Sequence, residues 1–310
     1  MPLDVKLLDG ALASELEVRG ADLNDPLWSA KVLIEQPDLL YAVNVDYLKA
    51  GADFIITATY QATYAALQRR GIDTATANAL FQKSVAIAKQ ARDDFWADPS
   101  NRINRDYPLL AASIGPYGAY LADGSEYRGN YGLTNEALYA FHRPRMHVLA
   151  EAGIDVFGFE TIPDVNEARV LLEILSEFSE KKAWLSYSCK DSSHISDGTT
   201  FANAVAIVNA NAQIMAVGMN CVPPNWVSPL LKSAQGKVDK PFVVYPNGTS
   251  GWDAQNNCWL PLQKGNELEA LAVEWRDLGA IMIGGCCKTT PLTISKIKAA
   301  LKPNSYSDRE

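Results

Sequence analysis

Short apolar runs of β type alternate with longer stretches of helical period along this chain. The runs fall at residues 5–8, 53–60, 108–114, 156–161, 183–188, 214–219, 242–245 and 280–283. Helical patterns lie at 28–49, 75–96, 135–152, 165–178, 201–208, 226–234, 267–278 and 291–301. Eight strands and eight helices in alternation predict a single (β/α)8 TIM barrel over residues 1–310. A doubly wound sheet is the rival, because periodicity alone does not show closure. The element count, the even composition and the lack of a Gly-x-Gly-x-x-Gly fingerprint after the first run favour the barrel.

A barrel of this kind carries its chemistry at the carboxyl ends of its strands. Polar and sulfur-bearing residues gather at those ends: Asp9 after the first run, Thr59 and Tyr60 at the second, Glu160 at the fourth, Cys221 at the sixth, and Cys286 and Cys287 after the eighth. Residues far apart in sequence are therefore expected to share one mouth. Within Ile283-Gly284-Gly285-Cys286-Cys287-Lys288-Thr289-Thr290-Pro291, two glycines precede the cysteines and permit positive φ or close approach. With Cys221, three sulfurs would converge, which suits a metal. The competing readings are small buried hydrophobes and a strained vicinal disulfide between Cys286 and Cys287.

Two connections exceed the usual 2–6 residues. The segment 115–132 is rich in Gly and Tyr and includes Tyr117 and Tyr127; it reads as a lid. A second runs from Asn247 through Trp259 on the same rim. Aromatic rings beside acids suit an organic cation, while an ordinary ordered surface loop is an equal alternative.

Composition narrows the class. Hydrophobic residues make up 48% and charged residues 21%, as in a globular protein with a large core. A net charge of −8 without clustered Lys or Arg argues against nucleic acid and anionic membrane as partners. No uncharged run approaches membrane-spanning length and the N-terminus lacks a signal pattern, so a cytosolic chain is expected. Five cysteines spread over this length favour metal or catalytic use in a reducing compartment. Cys189 and Cys258 read as structural or incidental. With three histidines, His142, His147 and His194, none at a metal spacing, a histidine zinc site or a Ser-His-Asp triad is not expected.

The cysteine segment, Gly218-Met219-Asn220-Cys221, Leu8-Asp9-Gly10-Ala11-Leu12-Ala13, Thr57-Ala58-Thr59-Tyr60-Gln61-Ala62 and the lid sequence 115–129 together resemble the zinc-dependent homocysteine S-methyltransferases, nearest the bacterial branch that uses S-methylmethionine. The resemblance runs nearly end to end. It implies a Zn2+ ion held by Cys221, Cys286 and Cys287, with a fourth position open for the homocysteine sulfur. It further implies Glu160 and Asp9 on the homocysteine ammonium, Thr59 or nearby backbone N–H groups on its carboxylate, and lid residues Tyr117 and Tyr127 on substrate. The implied reaction moves a methyl group from S-methylmethionine, or secondarily S-adenosylmethionine, to homocysteine thiolate, giving methionine. Alternatives are a betaine donor, another thiol acceptor, or a barrel with a closed structural zinc-thiolate site that recruits Cys258.

Overall fold

The computed structural model describes residues 4–301 except 26, 250, 254–257, 263, 264 and 266. Its strands are β1 (Lys6–Leu7), β2 (Phe54–Ile56), β3 (Leu109–Ile114), β4 (Val156–Ile162), β5 (Lys182–Tyr187), β6 (Ile214–Asn220), β7 (Phe242–Tyr245), β8 (Gly251–Asp253), β9 (Cys258–Leu260) and β10 (Ala280–Ile283). Eight of them form one parallel sheet in the order β1-β10-β7-β6-β5-β4-β3-β2. A parallel bridge between Leu8 and Phe54 and the Asp53 N–H donated to the Leu7 carbonyl (2.7 Å) join its two ends. The sheet is thereby closed into a TIM barrel, and the doubly wound alternative is excluded. β8 and β9 form a separate antiparallel hairpin on the long connection after β7.

The barrel strands are largely apolar because a barrel buries both of their faces, and their polar residues fall mostly at or near the ends. Alternate residues divide between two cores. Leu8, Phe54, Val156, Trp184, Val243 and Met282 pack inside the barrel. Ile55, Phe157, Phe159, Leu185, Val244 and Ile283 point outward against the helices. Inside, Trp184 lies edge-on to Phe54 at 5.7 Å and donates its indole N–H to Tyr245 Oη at 3.0 Å. A Cβ on Gly158 would sit 2.9 Å from Trp184 Cε2, so the bare glycine is what admits the large ring.

The structure departs from the sequence pattern where local chemistry overrides period. The stretch 28–49 is two helices, Ser29–Glu35 and Pro37–Ala50. Pro37 occupies the first turn of the second and forces Gln36 out of the helical region, to φ −142° and ψ 56°. Strand β2 stops at Ile56 rather than Tyr60. Helices Leu12–Val18 and Tyr64–Arg69 lie in stretches with no predicted element; each is too short for a clear period.

The lid is the short helix Tyr117–Leu121 followed by a 3-10 turn, Ser125–Tyr127. It is tied to the body at both ends. Glu167 Oε1 accepts the Tyr117 N–H at 2.6 Å, Arg145 donates to the Gly115 carbonyl, Gln61 Nε2 donates to the Ala119 carbonyl at 2.9 Å, and Asp164 Oδ2 accepts the Asn130 N–H at 3.1 Å. Behind the lid, His142 bridges Glu167 (2.7 Å) and Arg145 (2.8 Å), all three fully buried. The histidine is thus part of a structural network. Burial holds its pKa below the ordinary value, which favours the neutral ring.

Gly218, in β6, pairs with Val243 of β7, and a Cβ placed on it would overlap the Val243 carbonyl oxygen. The obstacle is backbone and cannot rotate away. Gly218→Ala is expected to cost about 3 kcal/mol or more, read as a fall in the midpoint of urea unfolding with little change in slope.

Candidate active site at the strand ends

Strand β10 ends at Ile283, and the chain then passes over β1. The Gly285 N–H reaches the Asp9 carbonyl (3.2 Å) and the Cys286 N–H the Pro246 carbonyl (2.8 Å). A Cβ on Gly284 would lie 2.6 Å from that of Leu8, and one on Gly285 would overlap Thr289. Neither glycine has positive φ. Close packing is therefore the reason for the pair, and the conformational alternative does not apply. A turn from Cys286 to Thr289 follows, closed by the Thr289 N–H to the Cys286 carbonyl (3.1 Å), with Lys288 at φ 62°. The buried Thr289 hydroxyl donates to the same carbonyl at 2.7 Å and accepts the Ala11 N–H at 3.1 Å. The turn is latched to the loop after β1.

Cys221 follows β6 with φ 56°, outside the region most side chains prefer, and its N–H is held by the Tyr245 carbonyl at 3.2 Å. The Sγ atoms of Cys221, Cys286 and Cys287 lie within 4.8 Å of one another, with Cys221 and Cys287 3.6 Å apart. Metal–sulfur bonds of about 2.3 Å in a tetrahedron put sulfurs roughly 3.8 Å apart, so the three fit one ion. Without such an ion the Cys286 thiol is held well above its ordinary pKa, first by its hydrogen bond with Cys221 and also by burial. The three converging sulfurs form a donor set able to hold a cation, whose charge would favour their thiolate forms. Cys189 is elsewhere, packed in the outer core. The side chains of Cys258, Trp252 and Trp259 lie outside the described residues, as does the fourth-ligand reading of Cys258.

Two carboxylates enter the same mouth. Asp9, 5% exposed, accepts the Ile56 N–H on Oδ2 at 2.8 Å. Glu160, 7% exposed, accepts the Ser113 hydroxyl and a second hydrogen bond from Tyr245. Among the described residues neither forms an ion pair. Burial pushes Glu160 up to about 7, and burial together with the charge of Glu160 raises Asp9. What the pair lacks is a positive group.

Glu160 is aimed by a local distortion. The β4–β5 register shifts between Phe159 and Ile162, and Thr161 sits at φ 58°, a strained value for a β-branched residue. Asn220, buried at the end of β6, compensates: its Oδ1 accepts the Thr161 N–H (2.7 Å) and the Ser186 hydroxyl (2.7 Å), and its Nδ2 donates to Thr161 Oγ1 (2.8 Å). Asn220, Ser113, Tyr245 and Thr289 were missed as site residues by sequence reasoning. The available signal was a polar residue ending an otherwise apolar run, as at Asn220.

Other expected contacts divide. The Tyr127 hydroxyl lies 3.0 Å from Cys221 Sγ, so the lid reaches over the sulfurs. Tyr117 does not follow: its ring packs with Tyr120, Tyr131 and Phe141, and its N–H goes to Glu167. Its ring and backbone N–H thus help anchor the lid, and no contact with the sulfurs is seen for it. Thr59 is 1% exposed, and its hydroxyl donates to the Ser113 carbonyl at 2.7 Å and meets Thr57 Oγ1 at 2.7 Å. That hydroxyl is spent inside the barrel and is not free for a ligand carboxylate.

The sequence model of the homocysteine S-methyltransferases matches residues 6–301. The chain belongs to this family. Homocysteine S-methyltransferase YbgG of Bacillus subtilis is 48% identical over 293 residues, covering 94% of this chain and 93% of the relative. Homocysteine S-methyltransferase of Escherichia coli is 45% identical over 299 residues, covering 96% and 95%. The crystal structure of the metallated form of the homocysteine methyltransferase MmuM from Escherichia coli superposes with a TM-score of 0.85 at 44% identity, covering 96% of each chain. Family membership thus coincides with a metal-competent thiol cluster in the barrel mouth. No helix among the described residues is long and apolar enough to cross a membrane.

The Glu160 shift has a measurable consequence. Between about 4.5, the ordinary value, and about 7, the folded protein keeps a proton that the unfolded chain has lost. Stability of the metal- and ligand-free protein should therefore fall as pH rises through that window, with Glu160 contributing roughly 3 kcal/mol. Glu160→Gln should flatten the slope in urea unfolding followed from pH 4.5 to 7.5. An unchanged slope would remove Glu160 as its source.

Proposed function

We propose that this protein transfers a methyl group from S-methylmethionine to homocysteine, forming methionine, with Zn2+ held by Cys221, Cys286 and Cys287. The observation that carries the reading is three convergent thiols beside two buried carboxylates that lack a cation. Zinc, when bound, supplies a Lewis acid that favours the substrate sulfur as thiolate near neutral pH.

The chain's own residues supply position. Asp9 and Glu160 receive the homocysteine ammonium, whose charge favours the ionised form of Glu160. The strained Thr161 and its Asn220 clamp hold Glu160 where that ammonium fixes the amino acid relative to the thiols. Tyr127 covers the sulfurs and narrows the approach of the donor. In the reaction, the homocysteine sulfur forms a bond to the methyl carbon while the bond from that carbon to the sulfonium sulfur breaks. The bonding pair goes to the departing sulfur, which leaves as a neutral thioether, and no proton moves at the methyl carbon. Catalysis is then largely a matter of aligning two sulfurs about one carbon with water excluded. S-adenosylmethionine presents the same methyl-sulfonium chemistry and is the secondary donor.

Purified protein should carry zinc in a shell of three sulfurs and one lighter atom, becoming four sulfurs when homocysteine is added, as read by zinc K-edge absorption. It should form methionine from S-methylmethionine and homocysteine, and a chelator should abolish turnover. Cys286→Ala is expected to lose more than about 100-fold in kcat/KM, since even groups one shell beyond a metal cost about 10–100-fold. A four-sulfur shell indifferent to homocysteine would instead mark a structural site.

A further inference from the structure

Glu126 lies in the 3-10 turn of the lid, beside Tyr127. Its backbone is fixed: the Ser188 hydroxyl donates to its carbonyl at 2.7 Å, and its N–H packs so closely on Gly118 that a Cβ there would clash with it. The carboxylate is turned inward. It receives its own backbone N–H, yet Oε2 is buried with no hydrogen-bond partner. The lid's own cation, Arg128, is bonded to Ser125 Oγ at 3.0 Å and the Asp123 carbonyl at 3.2 Å and pairs with Asp123 Oδ1 at 3.4 Å; its charge reaches Glu126 through space, without a hydrogen bond to Oε2. The Glu126 charge acts on the Tyr60 hydroxyl, which also feels Cys221 and Cys286. A held, half-satisfied carboxylate therefore sits in the lid next to Tyr127, whose hydroxyl meets Cys221, whereas Asp9 and Glu160 rise from β1 and β4.

We propose that Glu126 is the donor-side counter-ion and receives the α-ammonium of the sulfonium amino acid that supplies the methyl group. This assignment rests on the functional reading above. Asp9 and Glu160 serve one amino acid, and a second one entering the mouth brings another ammonium that needs an anion. The sulfonium is the poorer partner for Glu126. Its charge disappears as the methyl group transfers, so a carboxylate held on it would stabilise the ground state more than the transition state. The ammonium keeps its charge throughout, and its pairing is neutral to the chemical step. The exposed ring of Tyr127 is left for the sulfonium.

The test is Glu126→Gln, which keeps shape and removes charge. The variant should melt no lower than wild type, because an unpaired buried charge is gone. Calorimetric binding of S-methylmethionine should weaken about 10–100-fold, the KM for homocysteine should stay within about twofold, and dimethylsulfoniopropionate, which lacks the amino group, should bind both proteins equally. Unchanged S-methylmethionine binding, an equal loss with the desamino sulfonium, or a matching rise in the homocysteine KM would each overturn the assignment. Wild-type protein that binds S-methylmethionine but does not turn it over would overturn the functional reading alone, leaving the calorimetric comparison to judge Glu126. Absence of wild-type binding would overturn both.

Discussion

A cluster of acidic groups with no resident cation, at one end of the barrel, is the constraint on which the rest of this structure depends. Asp9, Glu160 and three thiols are brought together in a desolvated mouth with no lysine or arginine among the described residues paired to either carboxylate. The ionised forms of such groups are expensive to bury, which is why their pKa values are raised. On the function proposed above, a metal dication and a substrate ammonium would complete the two sets. The contrast with Glu167 is instructive: that carboxylate is equally buried but has His142 within hydrogen-bond distance, and Arg145 beyond it, and serves to hold the lid. Two buried acids of similar depth thus differ in role through the presence or absence of a resident cation.

Holding such groups in place needs a scaffold that cannot relax. Strand β10 is hydrogen-bonded to both β1 and β7, so the cysteine turn is positioned from either side. Gly284 and Gly285 let it pass against Leu8 and Thr289 without a Cβ in the way. The backbone pays locally at Thr161 and Cys221, both at positive φ, and one side chain, Asn220, bonds the first of these and precedes the second. Strain of this kind persists only where surrounding contacts over-determine it. Here those contacts are the barrel's own hydrogen bonds.

The lid connects the mouth to the outer layer. Its root is fastened by Glu167, Arg145 and Gln61, and its tip presents Tyr127 to Cys221. The long connection after β3 was legible as a feature of the rim, since its length and its Gly and Tyr content stand out. Which of its tyrosines faces the sulfurs was not legible. Tyr117 and Tyr127 are equivalent by composition, and only helix geometry sends one ring into the aromatic cluster with Tyr131 and Phe141.

The sequence by itself determined the alternation of strands and helices, and hence a barrel with a polar rim. It also determined the three cysteines that meet, because each follows an apolar run and strand ends of a barrel must face one mouth. The reason is physical: burial on both faces makes most barrel strands nearly continuous apolar segments, so the points where those runs stop are visible in one dimension. Tertiary structure decided what depends on neighbours from other strands. It closed the sheet through Leu8 and Phe54, spent the Thr59 hydroxyl on Ser113, assigned the two glycines to packing, and left Asp9 and Glu160 without a cation. Partners of these groups lie dozens to hundreds of residues away, and no local pattern encodes which of them a polar atom meets.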